Sequence, residues 1–283
     1  DWERYPTEIR DELEKACDVL EYLKDCRDLY EPEWALTVYI LMFQASTSFS
    51  RKNEERGVPL GEGANWKSWL MFMIGRALGE YATGINAGTL AQPPPSASGT
   101  NMDWLALVGR KLFMGGEKSA TLKTDSGTWK QLRDPTHPLE LRGLWEGTFK
   151  FRSAGRIILP DSSKIEFVAG VDSGVRRSTM AWRHVWKYTS NPNRSNMEKE
   201  AKDIKNDAYA KRVLPVFLLL VIEVDNVWGQ SWVSGIIKPR PASVEEATQE
   251  LLCSRLASNI NGFVGAWIEE VEDVSKGSTP ARS

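Results

Sequence analysis

The carboxylates with the clearest chemical promise close an apolar run. Val213 to Asp225 reads VLPVFLLLVIEVD, an aliphatic stretch ending in Glu223 and Asp225 with one Val between them. The run is too short to cross a bilayer, which takes about 20 apolar residues. Its Val-rich character predicts a strand buried on both faces, the central one of a sheet. Residues two apart on a strand face the same way, so Glu223 and Asp225 would project together. Glu166 lies in a second strand-like stretch, LPDSSKIEF, which also holds Lys164. If the two strands are neighbours, the side chains of Glu166, Glu223 and Asp225 would converge at one edge and hold a hard cation through oxygen ligands. A cation so held activates water and stabilises the charge of a phosphoryl transition state. The competing reading makes these carboxylates the solvated exit of a buried strand, since an unpaired buried carboxylate is heavily penalised.

Other chemistries find less support. There are two histidines: His137 lies in a turn-rich stretch, and His184 sits among Trp182, Arg183, Trp186 and Lys187 and reads as part of an aromatic cluster. No GxSxG, Walker A loop, GxGxxG or HExxH pattern is present. Few histidines and no CxxC pair argue against zinc. Arg176, Arg177, Arg183 and Lys187 interleave with Trp186, a mixture that can track phosphates and stack bases. The net charge of −2 supplies no global basic field, so contact with DNA or RNA would be local.

Length and patterning set the frame for these groups. With 283 residues, 41% hydrophobic and 26% charged, the composition is that of a globular chain with a substantial core. The three cysteines favour a reducing, intracellular setting, nuclear or cytoplasmic. Cys17 and Cys26 fall about 13.5 Å apart along one expected helix, too far to bridge. No membrane span or signal segment is legible. Helical spacing appears over residues 7–30, 34–43 and 66–78, and residues 51–63 read as a loop. This gives a helical region 1–90, a Pro/Ser-rich linker 91–100, a core 101–274 and a disordered tail 275–283. Within the core a short helix is expected near residues 103–113, short strands over 120–123 and 128–132, and strands over 144–152, 156–159, 164–171, 213–224 and 228–237. A closing helix follows Ser243 as N-cap, with Glu246 completing a capping box. The expected fold is α/β or α+β, a mixed central sheet flanked by helices with a helical N-terminal half.

The order LPDSSKIEF, a polar insert, LPVFLLLVIEVD and a late Trp267 resembles the fungal branch of the PD-(D/E)xK nuclease-like superfamily, restriction-endonuclease-like in fold. Cys26, Glu33, Trp34 and Val38 echo that family's upstream region. The resemblance implies a Mg²⁺-dependent phosphodiesterase, or a nucleic-acid-binding relative with a degenerate active site, in which Glu166 and Glu223 would bind Mg²⁺, Asp225 would assist and Lys164 would contact phosphate. Glu166 stands where the metal-binding acid is usually Asp, and Asp225 where the family has its catalytic Lys. The alternative is a non-enzymatic interaction or coat-like assembly module with a protein partner or a second copy. Twelve tryptophans favour it, since Trp is enriched at interface hot spots.

Overall fold

The central strand of the structure is Arg56–Leu60 (β1), inside the stretch that reads as a loop in the sequence. The computed structural model describes residues 17–49, 54–95, 102–116, 123–132, 138–145, 147–153, 155–160, 165–200, 207–229, 237 and 240–252. Gly57 and Pro59 disguise β1, yet all five of its residues are buried. A Cβ on Gly57 would lie 2.9 Å from the Trp182 ring and 3.0 Å from Phe43, so only glycine lets that indole pack flat against the strand. Pro59 is tolerated although it cannot donate to a ladder. Gly57 O accepts from Leu159 N, so the Pro59 nitrogen faces the same neighbour, at a point where that neighbouring strand has ended.

In chain order, helices α1 (Cys17–Tyr30) and α2 (Trp34–Ser48) precede β1, and α3 (Lys67–Leu78) leads to β2 (Ala82–Ile85). Then come α4 (Ala87–Ala91), α5 (Met102–Leu105), β3 (Leu112–Gly115) and α6 (Ser126–Gln131). A hairpin of β4 (Leu139–Arg142) and β5 (Thr148–Phe151) precedes β6 (Arg156–Ile158), α7 (Ser173–Ser178) and β7 (Thr179–Arg183). The described chain closes with β8 (Lys187–Thr189), β9 (Glu198–Glu200), α8 (Asp207–Trp228) and a helix, α9, over 242–252. The five-stranded sheet has the order β2-β3-β6-β1-β7 with every pair parallel. The architecture is therefore α/β, a central sheet flanked by helices, with a helical N-terminal part. Residues 1–90 nevertheless supply β1 and β2 to the sheet.

Side chains alternate across this sheet into two cores, as a period of two requires. Leu112, Ile158, Met180 and Trp182 join α1, α2, α3 and α8 on one face. Val58, Phe113, Ile157, Leu159 and Ala181 join α6, the hairpin and α9 on the other.

Several expectations are corrected by the structure. Val213–Asp225 is the body of α8, a helix. Its buried residues Val213, Phe217, Leu220, Val221 and Val224 follow a helical period, and Leu218, Leu219 and Ile222 stay exposed. Residues Asp207 to Arg212 extend the run into a 22-residue helix that tolerates Pro215. Residues 128–131 belong to α6, capped by Asp125, whose carboxylate accepts from Thr128 N at 2.7 Å. The described part of the stretch 164–171 contributes a single bridge, Thr124 to Phe167. Ser243 caps nothing: α9 starts before it, and its hydroxyl donates to Glu33 Oε1 at 2.8 Å. The described part of the linker is tied down, with Gln92 O accepting from Thr128 Oγ1 at 2.5 Å. The strand expected over 228–237 is contradicted at Trp228, which ends α8, and its residues 230–236, like residues 120–122, Trp267 and the tail, lie outside the described residues.

Candidate functional site

The predicted carboxylate site does not assemble as expected. On a helix, residues two apart point about 200° away from each other, so Glu223 and Asp225 do not share a face. Glu223 is half-buried and Asp225 buried, on the helix that packs against one side of the sheet. Glu166 is exposed, paired with Lys123 at 3.2 Å, and flanked by Ile165 and Phe167, which pack into the opposite core. Lys164 lies outside the described residues. Among the described residues, no group of three or more His, Cys, Asp or Glu is placed to hold a metal ion.

The predicted basic residues are largely committed within the protein. Arg177, in the last turn of α7, pairs with Glu54 at 3.0 Å, and Arg183 pairs with Glu250. Trp186 Nε1 donates to Glu31 O at 2.9 Å while the Lys199 ammonium sits 4.2 Å over its ring. Arg176 and Lys187 are exposed.

The sheet itself points elsewhere. From β1 the chain runs out to the edge strand β2, returns through β3 and β6, and then crosses over β1 to β7. Parallel sheets bind ligands beyond the carboxyl ends of the strands where the connections diverge, which here is the end of β1. That end carries Gly61-Glu-Gly-Ala-Asn-Trp-Lys-Ser68, joining the central strand to the first turn of α3. A phosphate-cradling loop has Gly, four residues, then Gly-Lys-Ser/Thr in this setting. Gly61, Lys67 and Ser68 match, and Trp66 stands in the place of the second glycine. That one replacement hid the pattern from the sequence reading. The recoverable signal was the remaining spacing, Gly61 to Lys67-Ser68, ahead of an amphipathic helix.

Trp66 nonetheless keeps a left-handed backbone, φ 63°, as does Ala64 at 60°. Gly61 has φ 145°, and a Cβ there would meet the Asn65 side chain at 2.2 Å. Four of the loop's carbonyl groups are held by Lys67, Tyr188 and His184. Gly61 O and, at 3.5 Å, Glu62 O accept from Lys67 Nζ; Ala64 O accepts from Tyr188 N at 2.7 Å; Asn65 O accepts from His184 Nδ1 at 3.1 Å. Of the amides, that of Lys67 donates to Asn65 Oδ1 at 3.4 Å. Helix α3 begins there with no acidic residue in its first turn, so the positive end of its dipole is not offset there.

His184 explains how the loop is held. Its Nε2 accepts from Trp182 Nε1 at 3.1 Å, which puts the remaining proton on Nδ1, the atom that donates to Asn65 O. Burial, reinforced by the nearby Lys67 charge and opposed by the Asn65 carbonyl, lowers its pKa to about 3. The ring is therefore a neutral strut rather than a general base. A cavity of about 910 Å³ opens alongside, lined by Lys67, Ser68, Phe72 and Arg76 of α3 and by Gly115 and Pro160 at the strand ends.

No family model matches the chain, and no curated protein matches it. Among solved structures it is similar to the apo C-terminal region of NrS-1, with a TM-score of 0.53 and 10% identity over 93% of this chain and 59% of that one. A second apo structure of that region matches with a TM-score of 0.54 and 12% identity over 83% and 51% of the two chains. The likeness is one of fold, and this chain spans between half and three fifths of the length of those structures.

Proposed function

We propose that the chain is a nucleotide-binding domain whose loop 61–68 takes the phosphate groups of a nucleotide. The observation that carries this reading is the loop's polarity. Four of its carbonyls are bound by Lys67, Tyr188 and His184, at the carboxyl end of the central strand and the start of a helix. Amide groups and a helix N-terminus together favour anions. Lys67 is the counter-charge: an arriving phosphate would draw its ammonium from the Gly61 and Glu62 carbonyls. The phosphate chemistry expected of Glu166, Glu223, Asp225 and Lys164 is thereby moved to a loop that needs no carboxylate to bind its ligand.

Calorimetric titration of ATP, and of pyrophosphate separately, tests this. Losing the charged hydrogen bonds of Lys67 in Lys67→Ala should weaken ATP by about 10- to 100-fold. Equal binding by wild type and variant, or no binding by wild type, overturns the reading. Nucleic-acid association is a second reading, favoured by the exposed Arg176 and Lys187. Its signature would be a fall of about 0.9 log units in affinity per log unit of salt for each duplex phosphate neutralised.

A further inference from the structure

Helix α8 buries one face and carries an apolar stripe on the other. Its inward residues, Val213, Phe217, Leu220, Val221 and Val224, join the core shared with α1, α2 and α3. Outward, Pro215, Leu219, Ile222 and Asn226 recur at intervals of four, three and four residues, the spacing of a seam on which a second helix lies. Leu219 is 64% exposed and Ile222 43%, with Leu218 at 37% beside them. Three aliphatic side chains meeting water on adjacent turns make a continuous patch rather than scattered single residues, and a continuous patch marks an interaction surface.

The charges that bracket the stripe say what covers it. Arg212, exposed, comes just before Pro215, and Glu223, half-buried, directly follows Ile222. On a helix these two residues fall within about 20° of each other around the axis, on one flank of the stripe, and about 16.5 Å apart along it. That is too far for them to pair within one chain. A second α8 laid antiparallel, centred between Phe217 and Leu218, sets each Arg212 level with the Glu223 of the other copy, once at either end. The same register puts Pro215 between Leu219 and Ile222 of the second copy and opposes the two helix dipoles. A parallel pair would bring Arg212 against Arg212 and Glu223 against Glu223. The face is therefore complementary to itself about a two-fold axis, as an interface between identical copies requires.

We propose that α8 is the contact face of a homodimer, two copies packing antiparallel through Pro215, Leu219 and Ile222 with an Arg212–Glu223 pair at either end. The stripe from Arg212 to Asn226 is about 21 Å long on a helix about 10 Å wide, a smaller contact than the roughly 800 Å² per partner of a standard stable interface. The dimer therefore forms reversibly and separates on dilution. The inference does not rest on the phosphate reading, so it is tested without nucleotide.

Sedimentation equilibrium of the full chain over a wide range of protein concentration tests this, with Leu219→Gln, Arg212→Glu, Glu223→Arg and the swap Arg212→Glu/Glu223→Arg alongside, each checked for native circular dichroism. A monomer–dimer equilibrium is expected, weakened about tenfold or more by Leu219→Gln and by each single charge reversal. The swap should restore it to within about threefold of wild type. Such a rescue arises only across the interface, because Arg212 and Glu223 do not reach each other within one chain. Leu219 is exposed on the single chain, so Leu219→Gln carries the test should Glu223→Arg disturb folding. A wild-type chain that stays monomeric at every concentration overturns the proposal and leaves the face to a different partner. A dimer that Leu219→Gln leaves unchanged, or one in which the two charge reversals simply add, overturns it by placing the contact elsewhere.

Discussion

His184 and Trp66 carry the local consequences of the loop. His184 has an ordinary pKa of 6.5 and a folded one near 3, so its protonation favours the unfolded chain. The stability this neutral ring contributes is complete above pH 6.5 and is lost as pH falls from there toward 3. At pH 5 the loss from this one group is about 2 kcal/mol. Urea midpoints at pH 7.5 and pH 5 should therefore separate more in wild type than in His184→Gln, which keeps a polar group but does not titrate. An equal separation would mean that another group controls the acid side. Trp66 holds a left-handed backbone at a strain of about 1–2 kcal/mol, against which stands its stack on Tyr188, a pair of rings contributing about 0.5–1.5 kcal/mol. These terms are close in size, so the loop keeps its shape without the glycine. Neither the strain nor the stack has a local sequence signature, because Tyr188 lies far along the chain.

The element scale is where sequence and structure part most clearly. A short apolar run bounded by charge is compatible with a buried strand or a buried helix, and periodicity alone does not arbitrate. In Val213–Asp225 the β-branched residues pulled the reading toward strand, while the helix-forming Ala210, Lys211 and Arg212 just upstream belonged to the same element. The two geometries make opposite demands on Phe217 and Leu219, which share a face in a strand but not in a helix. In the structure Phe217 is fully buried, edge-on to Tyr22 at 5.3 Å, and Leu219 is 64% exposed. Phe217→Ala should destabilise by about 3–5 kcal/mol, whereas Leu219→Ala should stay within about 0.5 kcal/mol. Comparable losses at both positions in chemical denaturation would restore the strand. Helices with strong periodicity, such as α1 and α3, were legible because their signal lies within the element. Strand β1 was not, because its burial comes from neighbours that are distant in sequence: its pairing partners in β6 and β7 lie about 100 residues or more downstream.

At the scale of the molecule, the sheet ties the loop to everything else. Strand β1 enters the site between β6 and β7, its two faces belong to different cores, and α3 carries the loop's far end into the helical layer. A ligand held by the loop therefore restrains the central strand and a core helix together, and it binds the folded chain alone. Mass action then requires stabilisation, about 2.7 kcal/mol at a ligand concentration one hundred times Kd. For a chain of this size that corresponds to a rise of about 5 °C in Tm. Pyrophosphate should produce part of the rise, since it offers the phosphates without a base, and Lys67→Ala should abolish most of it for both ligands. Differential scanning calorimetry measures this directly. A Tm that rises equally in Lys67→Ala would place the ligand somewhere other than the loop.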